Sequence, residues 1–271
     1  MVSAISLLIF LLGLIIGSFL NVAIYRYRTG YTALGRSQCL ACGRLLSWYE
    51  LIPLASFIIQ GGKCHTCGAR ISWQYPLVEL ATALAFWGVY RSSLLTQIGP
   101  WLIVLDFGIW SFLIAITTYD LRHKIIPDEW VYLFSGLAFV RLFASGVDWQ
   151  WNLVAGVALL AFFGGLWFVS RGKWMGFGDA KLALGIGFFL GLEPSLSAMM
   201  LAFWTGAALG LFLIAIEHFR LPSRQRRQNS LGDGGAKPST FGREIPFAPF
   251  LTLGTALVYF ANLHVITLFI S

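Results

Sequence analysis

The chain has 271 residues, of which 58% are hydrophobic and 11% charged, with a formal net charge of +7. Soluble proteins are about half apolar and about a quarter charged, so a water-soluble globule is excluded. Disorder is excluded as well, because it requires low hydrophobicity together with high net charge. What remains is an all-α polytopic membrane protein. An aromatic content of 16%, with 11 Trp and 9 Tyr, suits a chain that meets the membrane interface many times.

A spanning helix needs about 20 mostly apolar residues. Eight stretches are expected to span, over 3–24, 76–91, 100–119, 130–147, 152–169, 180–193, 196–216 and 247–270. The first has no basic region before it and no small-residue cleavage site after it, so it reads as a permanent helix over 1–24. The sixth is short, and Glu193-Pro194 stops it early. Lysine and arginine are held back on the cytoplasmic side. Assigning alternate loops to the cytoplasm places 17 of the 19 basic residues there, leaving Arg91 and Arg141. Both termini are then expected outside the cytoplasm. Residues 25–75 form a cytoplasmic domain and 76–271 a catalytic bundle. The bundle is interrupted by a loop at 217–246 whose Ser230–Gly235 stretch has linker composition.

In the 25–75 domain, Cys39-Leu40-Ala41-Cys42-Gly43 and Cys64-His65-Thr66-Cys67-Gly68 are two copies of one knuckle. C-x-x-C spacing lets a tight turn aim two thiolates at one ion, and the following glycine accepts a positive φ. A disulfide is the rival, but the charge pattern puts this loop in the reducing cytosol, where disulfides seldom persist. The expectation is a closed, structural tetrahedral zinc site made by Cys39, Cys42, Cys64 and Cys67, with His65 a bystander.

Ionisable groups in or beside spanning helices are costly and therefore informative. Glu79 and Asp106 read as structural, pairing with a polar neighbour such as Arg141. Asp128 follows Pro127 and reads as a helix-start residue. Asp120 ends the third span, where negative charge opposes the helix dipole, so some other advantage keeps it there, although Arg122 and Lys124 nearby offer an ordinary electrostatic reason. Asp179 closes Gly176-Phe177-Gly178-Asp179 directly before the sixth span. An N-cap is its ordinary reading, yet the flanking glycines also leave room for another backbone. Asp120 and Asp179 fall on the same membrane face. Two carboxylates brought together share a proton, one serving as base toward water and the other as donor to a carbonyl, which is peptide hydrolysis. Zincin, nucleophile-elbow, P-loop and dinucleotide-binding motifs are all absent from the sequence.

These residues resemble the type IV prepilin peptidase family, membrane aspartyl proteases with a G-x-G-D motif. The likeness is carried by Gly17-Ser18-Phe19-Leu20-Asn21 with Tyr25-Arg26, by the paired knuckles followed by Tyr75–Glu79, and by Asp120 with Ile125-Ile126-Pro127-Asp128. It continues in Gly176–Asp179 with Lys181, and in Ile245–Phe250. It departs at Ala248, where the family commonly has glycine, with no evident consequence for chemistry. The resemblance implies Asp120 and Asp179 as the catalytic pair, supported by Gly176, Gly178 and Lys181, in a bacterial inner membrane. Its substrates would be type IV prepilins or type II secretion pseudopilins, cut just before a hydrophobic helix; we expect that helix to lie against the third to sixth spans, with the bond between Asp120 and Asp179. The four cysteines imply in addition methylation of the new amino terminus from S-adenosylmethionine, whose site no residue here marks. Two other classes remain open at this level: an ion or solute transporter with a regulatory metal loop, and a non-catalytic assembly factor. The cluster of Arg224, Arg226 and Arg227 suits membrane lipid; without interleaved aromatics it does not suit nucleic acid.

Overall fold

The structure is a computed structural model and describes residues 4–29, 35–146, 149–220 and 246–265. Helices form at all eight expected stretches: α1 (Ala4–Arg26), α3 (Gln74–Thr96), α4 (Pro100–His123), α5 (Asp128–Ala144), α6 (Trp149–Ser170), α7 (Phe177–Leu190), α8 (Leu192–Arg220) and α9 (Ala248–Ala261). Between α1 and α3 lie a 3-10 turn (Trp48–Leu51) and the short helix α2 (Ala55–Ile59), neither of which the periodicity of the sequence announces. Extended structure among the described residues is confined to two isolated antiparallel bridges, Gln38 with Leu45 and Lys63 with Arg70.

Four helices are long and apolar enough to cross a membrane: α1, α4, α6 and the Leu192–Ile216 part of α8. The other four fall short by that measure. At about 1.5 Å per residue, the 14 residues of α7 and of α9 extend only about 21 Å, less than a hydrocarbon core of about 30 Å. Several ends differ from expectation. α4 runs three residues past Asp120 to His123, because Lys124 takes the left-handed cap conformation and returns its N–H to the Asp120 carbonyl at 2.7 Å. α7 starts at Phe177 and stops at Gly191 (φ 85), so Glu193 and Pro194 belong to the first turn of α8 and do not terminate the preceding helix. α9 ends at Ala261, capped by left-handed Asn262, well before the expected 270. Most of the 217–246 loop and the Arg224 cluster lie outside the described residues.

α1 and α3 pack antiparallel through small residues. A Cβ on Gly17 would lie 2.6 Å from the Cα of Glu79, so only glycine permits that approach. Asn21 locks the same register, donating its amide to the Tyr75 carbonyl at 3.1 Å. The central core is built by α4, α5 and α7, where Leu113, Ile116, Val131, Phe134 and Leu182 are fully buried. A buried polar cluster ties α9 to it. Asp106 on α4 pairs with Arg141 on α5 and accepts the Tyr259 hydroxyl of α9 at 2.7 Å. This bears out the structural reading of Asp106 and its pairing with Arg141. Glu79 is structural by a different route: it accepts the Leu54 backbone N–H at 2.8 Å.

Candidate active site and metal centre

Asp120 occupies the last turn of α4 and Asp179 the first turn of α7, with only 4% and 6% of their surfaces exposed. What brings them together is the turn after α4. Lys124 reverses the chain, and Ile126 packs against the start of α7, where a Cβ on Gly178 would lie 2.9 Å from the Ile126 Cβ. Gly178 is thus required by packing. Gly176 is the N-cap residue of α7 and is not crowded, an added Cβ making only ordinary contact with the Gly178 nitrogen and Asp179 Oδ2 at 3.9 and 4.0 Å. Asp179 is therefore the third residue of its helix and not its N-cap, and its carboxylate reaches back to the backbone N–H of Gly176, the residue that is the N-cap.

The two carboxylates lie within electrostatic reach of each other. Asp120 Oδ2 and Asp179 Oδ1 are buried and have no hydrogen-bond partner among the described residues. Buried polar oxygens are nearly always bonded, so two such oxygens in one place mark a site that a third party completes. The opposition between Asp120 and its own helix dipole has a physical answer. The backbone N–H of Ala248, first residue of α9, faces the Asp120 carboxylate, so the positive end of a second helix compensates the negative end of the first. The Ala248 side chain is fully buried and it is the main chain that meets the acid, which is consistent with exchange of glycine and alanine there.

Lys181 braces the pair from outside. Its ammonium lies 2.7 Å from Asp128 Oδ1 and over the rings of Tyr132 and Phe177 at 5.1 and 5.5 Å, joining α7 to α5. Asp128 is the first residue of α5, as expected, and is also this ion-pair partner, which nothing in the sequence indicated. Alongside α4 runs an apolar cleft of about 680 Å³ between α3, α4 and α9, lined by Val78, Leu84, Trp110, Thr117, Thr252 and Phe260 among others. The Thr117 and Thr252 hydroxyls bond at 2.7 Å across its α4 to α9 seam.

The four cysteines converge. Sγ atoms of Cys39, Cys42, Cys64 and Cys67 all lie within 4.8 Å of one another, and those of Cys39 and Cys67 are 3.9 Å apart. Four sulfurs at about 2.3 Å from one tetrahedral ion would stand roughly 3.8 Å apart, so the set fits zinc in number, chemistry and spacing. Both knuckles use one turn. Cys39 and Cys64 accept the N–H of Gly43 and Gly68, each at 2.9 Å, and the two glycines carry φ of 72 and 70. His65 is exposed and lies outside the cluster. Between the knuckles, Glu50 turns inward to the Arg44 guanidinium at 2.6 Å and to the Ser47 N–H at 2.8 Å. These two donors, Ser47 first, hold its carboxyl below the usual range.

Two buried carboxylates with unsatisfied oxygens, at the ends of apolar helices and beside an apolar cleft, define a membrane protein with the groups that acid and base hydrolysis needs. Comparison with known proteins gives the same class. The profile described as type IV leader peptidase family matches residues 107–211, and that of the bacterial peptidase A24 N-terminal domain matches residues 11–92. The chain is 31% identical over 267 residues to the prepilin leader peptidase/N-methyltransferase of Bacillus subtilis (strain 168), covering 97% of each chain. Relatives of the same name from Myxococcus xanthus and Pseudomonas aeruginosa are 32% and 30% identical, over 86% and 90% of this chain and 70% and 86% of theirs. No solved structure matches it. This chain belongs to the type IV leader peptidase family.

Proposed function

We propose that this protein hydrolyses the leader of type IV prepilins and pseudopilins with Asp120 and Asp179, and then methylates the exposed amino terminus. The observation that carries the hydrolytic reading is the pair of buried, unbonded carboxyl oxygens, Asp120 Oδ2 and Asp179 Oδ1, in a chain of this family. The pair shares one proton and titrates as a unit. The ionised member takes a proton from a water molecule whose oxygen bonds to the scissile carbonyl carbon, while the protonated member donates to the carbonyl oxygen. Collapse of the tetrahedral intermediate breaks the C–N bond, and the leaving amine takes up the proton. The Ala248 N–H holds Asp120 in place, and the Lys181–Asp128 pair holds the α7 start against α5. The apolar cleft between α3, α4 and α9 suits the hydrophobic helix of the substrate, a different place from the third to sixth spans expected from sequence.

Cys39, Cys42, Cys64 and Cys67 would hold a zinc ion that closes the loop domain and leaves no open coordination position for chemistry. S-adenosylmethionine would supply the methyl group of the second reaction. In this reading all eight long helices belong to the inner-membrane part, the shorter ones shielded by their neighbours, with both termini outside the cytoplasm and the knuckles inside. Family membership leaves the transporter reading without support. The experiment is to mix purified protein with a prepilin and S-adenosylmethionine and weigh the products. Loss of the leader with gain of one methyl group is expected; an intact prepilin would overturn the proposal.

A further inference from the structure

The metal domain carries an apolar surface that neither the dyad nor the knuckles use. Residues 48–59 read WYELIPLASFII, in which Glu50 is the sole ionisable group that bears charge at neutral pH, and it is turned inward to Arg44. Outward stand Trp48, Ile58 and Ile59, at 78%, 75% and 83% exposure, with Trp73 at 70% where the chain enters α3. Phe57 packs on Trp73 with ring centroids 5.0 Å apart, joining the two parts of this face. A patch of this kind facing water is unfavourable, and it marks an interaction surface.

Its height is fixed by one bond. Leu54, held at φ 57, a conformation that a leucine rarely adopts, gives its N–H to the Glu79 carboxylate at 2.8 Å. Glu79 lies five residues into α3, directly against Gly17 of α1. Gly17 is nine residues before the α1 end at Arg26, about 13 Å along the axis of a helix long and apolar enough to span. Even with the Glu79 side chain reaching back toward the start of α3, Leu54 sits deeper in the membrane direction than the end of α1. Charge agrees with this placement. Between residues 25 and 75, Glu50 is the single acid, whereas Arg28, Arg36, Lys63 and Arg70 are exposed cations. An anionic leaflet attracts such a set, at about 1 kcal/mol per cation near the surface.

We infer that the Trp48–Ile59 segment, with Trp73, is an interfacial anchor that beds the metal domain into anionic phospholipid of the leaflet at the α1 end and α3 start. Aromatic and branched apolar side chains enter the boundary between headgroups and acyl chains, as interfacial segments do, while the cations meet the phosphates. The metal domain is thereby a lid lying on the bilayer, pinned by Leu54 to Glu79. This inference rests on α1 crossing the bilayer and does not depend on the peptidase reading.

The test places a benzoylphenylalanine photocrosslinker at Trp48 or at Ile59 in the full chain, with Thr66 beside the metal ligands as reference. The protein is reconstituted in phosphatidylethanolamine/phosphatidylglycerol vesicles, irradiated and weighed intact. Phospholipid adducts at both positions, at least about five-fold above Thr66, are expected. Adducts no more frequent than at Thr66 overturn the inference, as does transfer of the crosslink to added prepilin at both positions, which would make the surface a substrate site. An independent measurement uses the double variant Ile58→Asp/Ile59→Asp with its zinc content checked. Trypsin cleavage after Lys63 in vesicles should rise several-fold, and an unchanged rate overturns the anchor. Prepilin cleavage scored on the same vesicles keeps a failure here separate from a failure of the peptidase reading.

Discussion

Asp120 lies where its own helix presents carbonyls, and is tolerated because the first N–H of α9 faces it. Asp179 sits in the first turn of α7, where acids are favoured, yet keeps one oxygen unbonded. Replacing either carboxylate by the isosteric amide removes acid and base function while keeping shape. Asp120→Asn and Asp179→Asn should each lower prepilin cleavage by about 10²- to 10⁴-fold, measured as product per unit of inserted protein. Full cleavage by both variants would remove the dyad. The two glycines of the motif should separate under substitution. Gly178→Ala drives a methyl into Ile126 and should cost about 1–3 kcal/mol, whereas Gly176→Ala meets only ordinary van der Waals contact. Thermal midpoints in detergent should therefore fall for the first and not for the second. Asp106→Ala strands the Arg141 guanidinium and the Tyr259 hydroxyl. A loss of about 3–5 kcal/mol is expected from breaking a buried pair, read as a lowered midpoint, with α9 loosened from α4.

At the scale of elements, the metal domain is two knuckles of one turn and one bridge each, joined by a 3-10 turn and the short α2, far too small to hold shape by apolar burial alone. In the proposed reading, a zinc ion on the four cysteines would be the main source of its order. The Cys64 thiol is pushed down to about 6, chiefly by the backbone N–H groups of Cys67 and Thr66 that point at its sulfur. A depressed acid contributes above its ordinary value and loses that contribution as pH falls through the depressed one. Protons compete with the ion for these thiolates, so zinc content should be full at neutral pH and fall on acidification, followed by metal analysis after dialysis. Cys67→Ser should lose zinc and methyl transfer before proteolysis, since the dyad is held by α4, α5, α7 and α9 and not by the knuckles. A Cys67→Ser protein that retains full zinc content, or methylates normally without it, would contradict this division.

Across the whole molecule, eight long helices and a basic loop set give the proposed topology, with an even number of crossings and both termini on one side. Fusions of alkaline phosphatase, active only outside the cytoplasm, should be active at either terminus and inactive when placed beside Cys42. Activity beside Cys42 would invert the arrangement. The shorter α7 and α9 fit this picture because each packs among longer neighbours, α7 between α5 and α6 and α9 against α8 and α4. A helix surrounded by protein need not match the hydrocarbon thickness by itself.

Composition alone placed this chain in a membrane, because a chain with so few charges cannot cover a soluble surface. Apolar runs located the eight long helices, and C-x-x-C spacing located the knuckles, since both signals are local along the chain. Asp120 and Asp179 stood out as candidates because an acid beside an apolar run is conspicuous wherever its partner lies, and the resemblance to the family singled them out from the other acids. Helix ends were not legible, because left-handed caps at Lys124 and Asn262 override what propensity suggests. Only the tertiary structure set Ala248 before Asp120, Asp128 beside Lys181, Ile126 under Gly178 and Leu54 on Glu79. Each of these joins residues remote in sequence through a backbone group or a close packing contact, and such pairings are chosen by how helices cross, which no local pattern of side chains records.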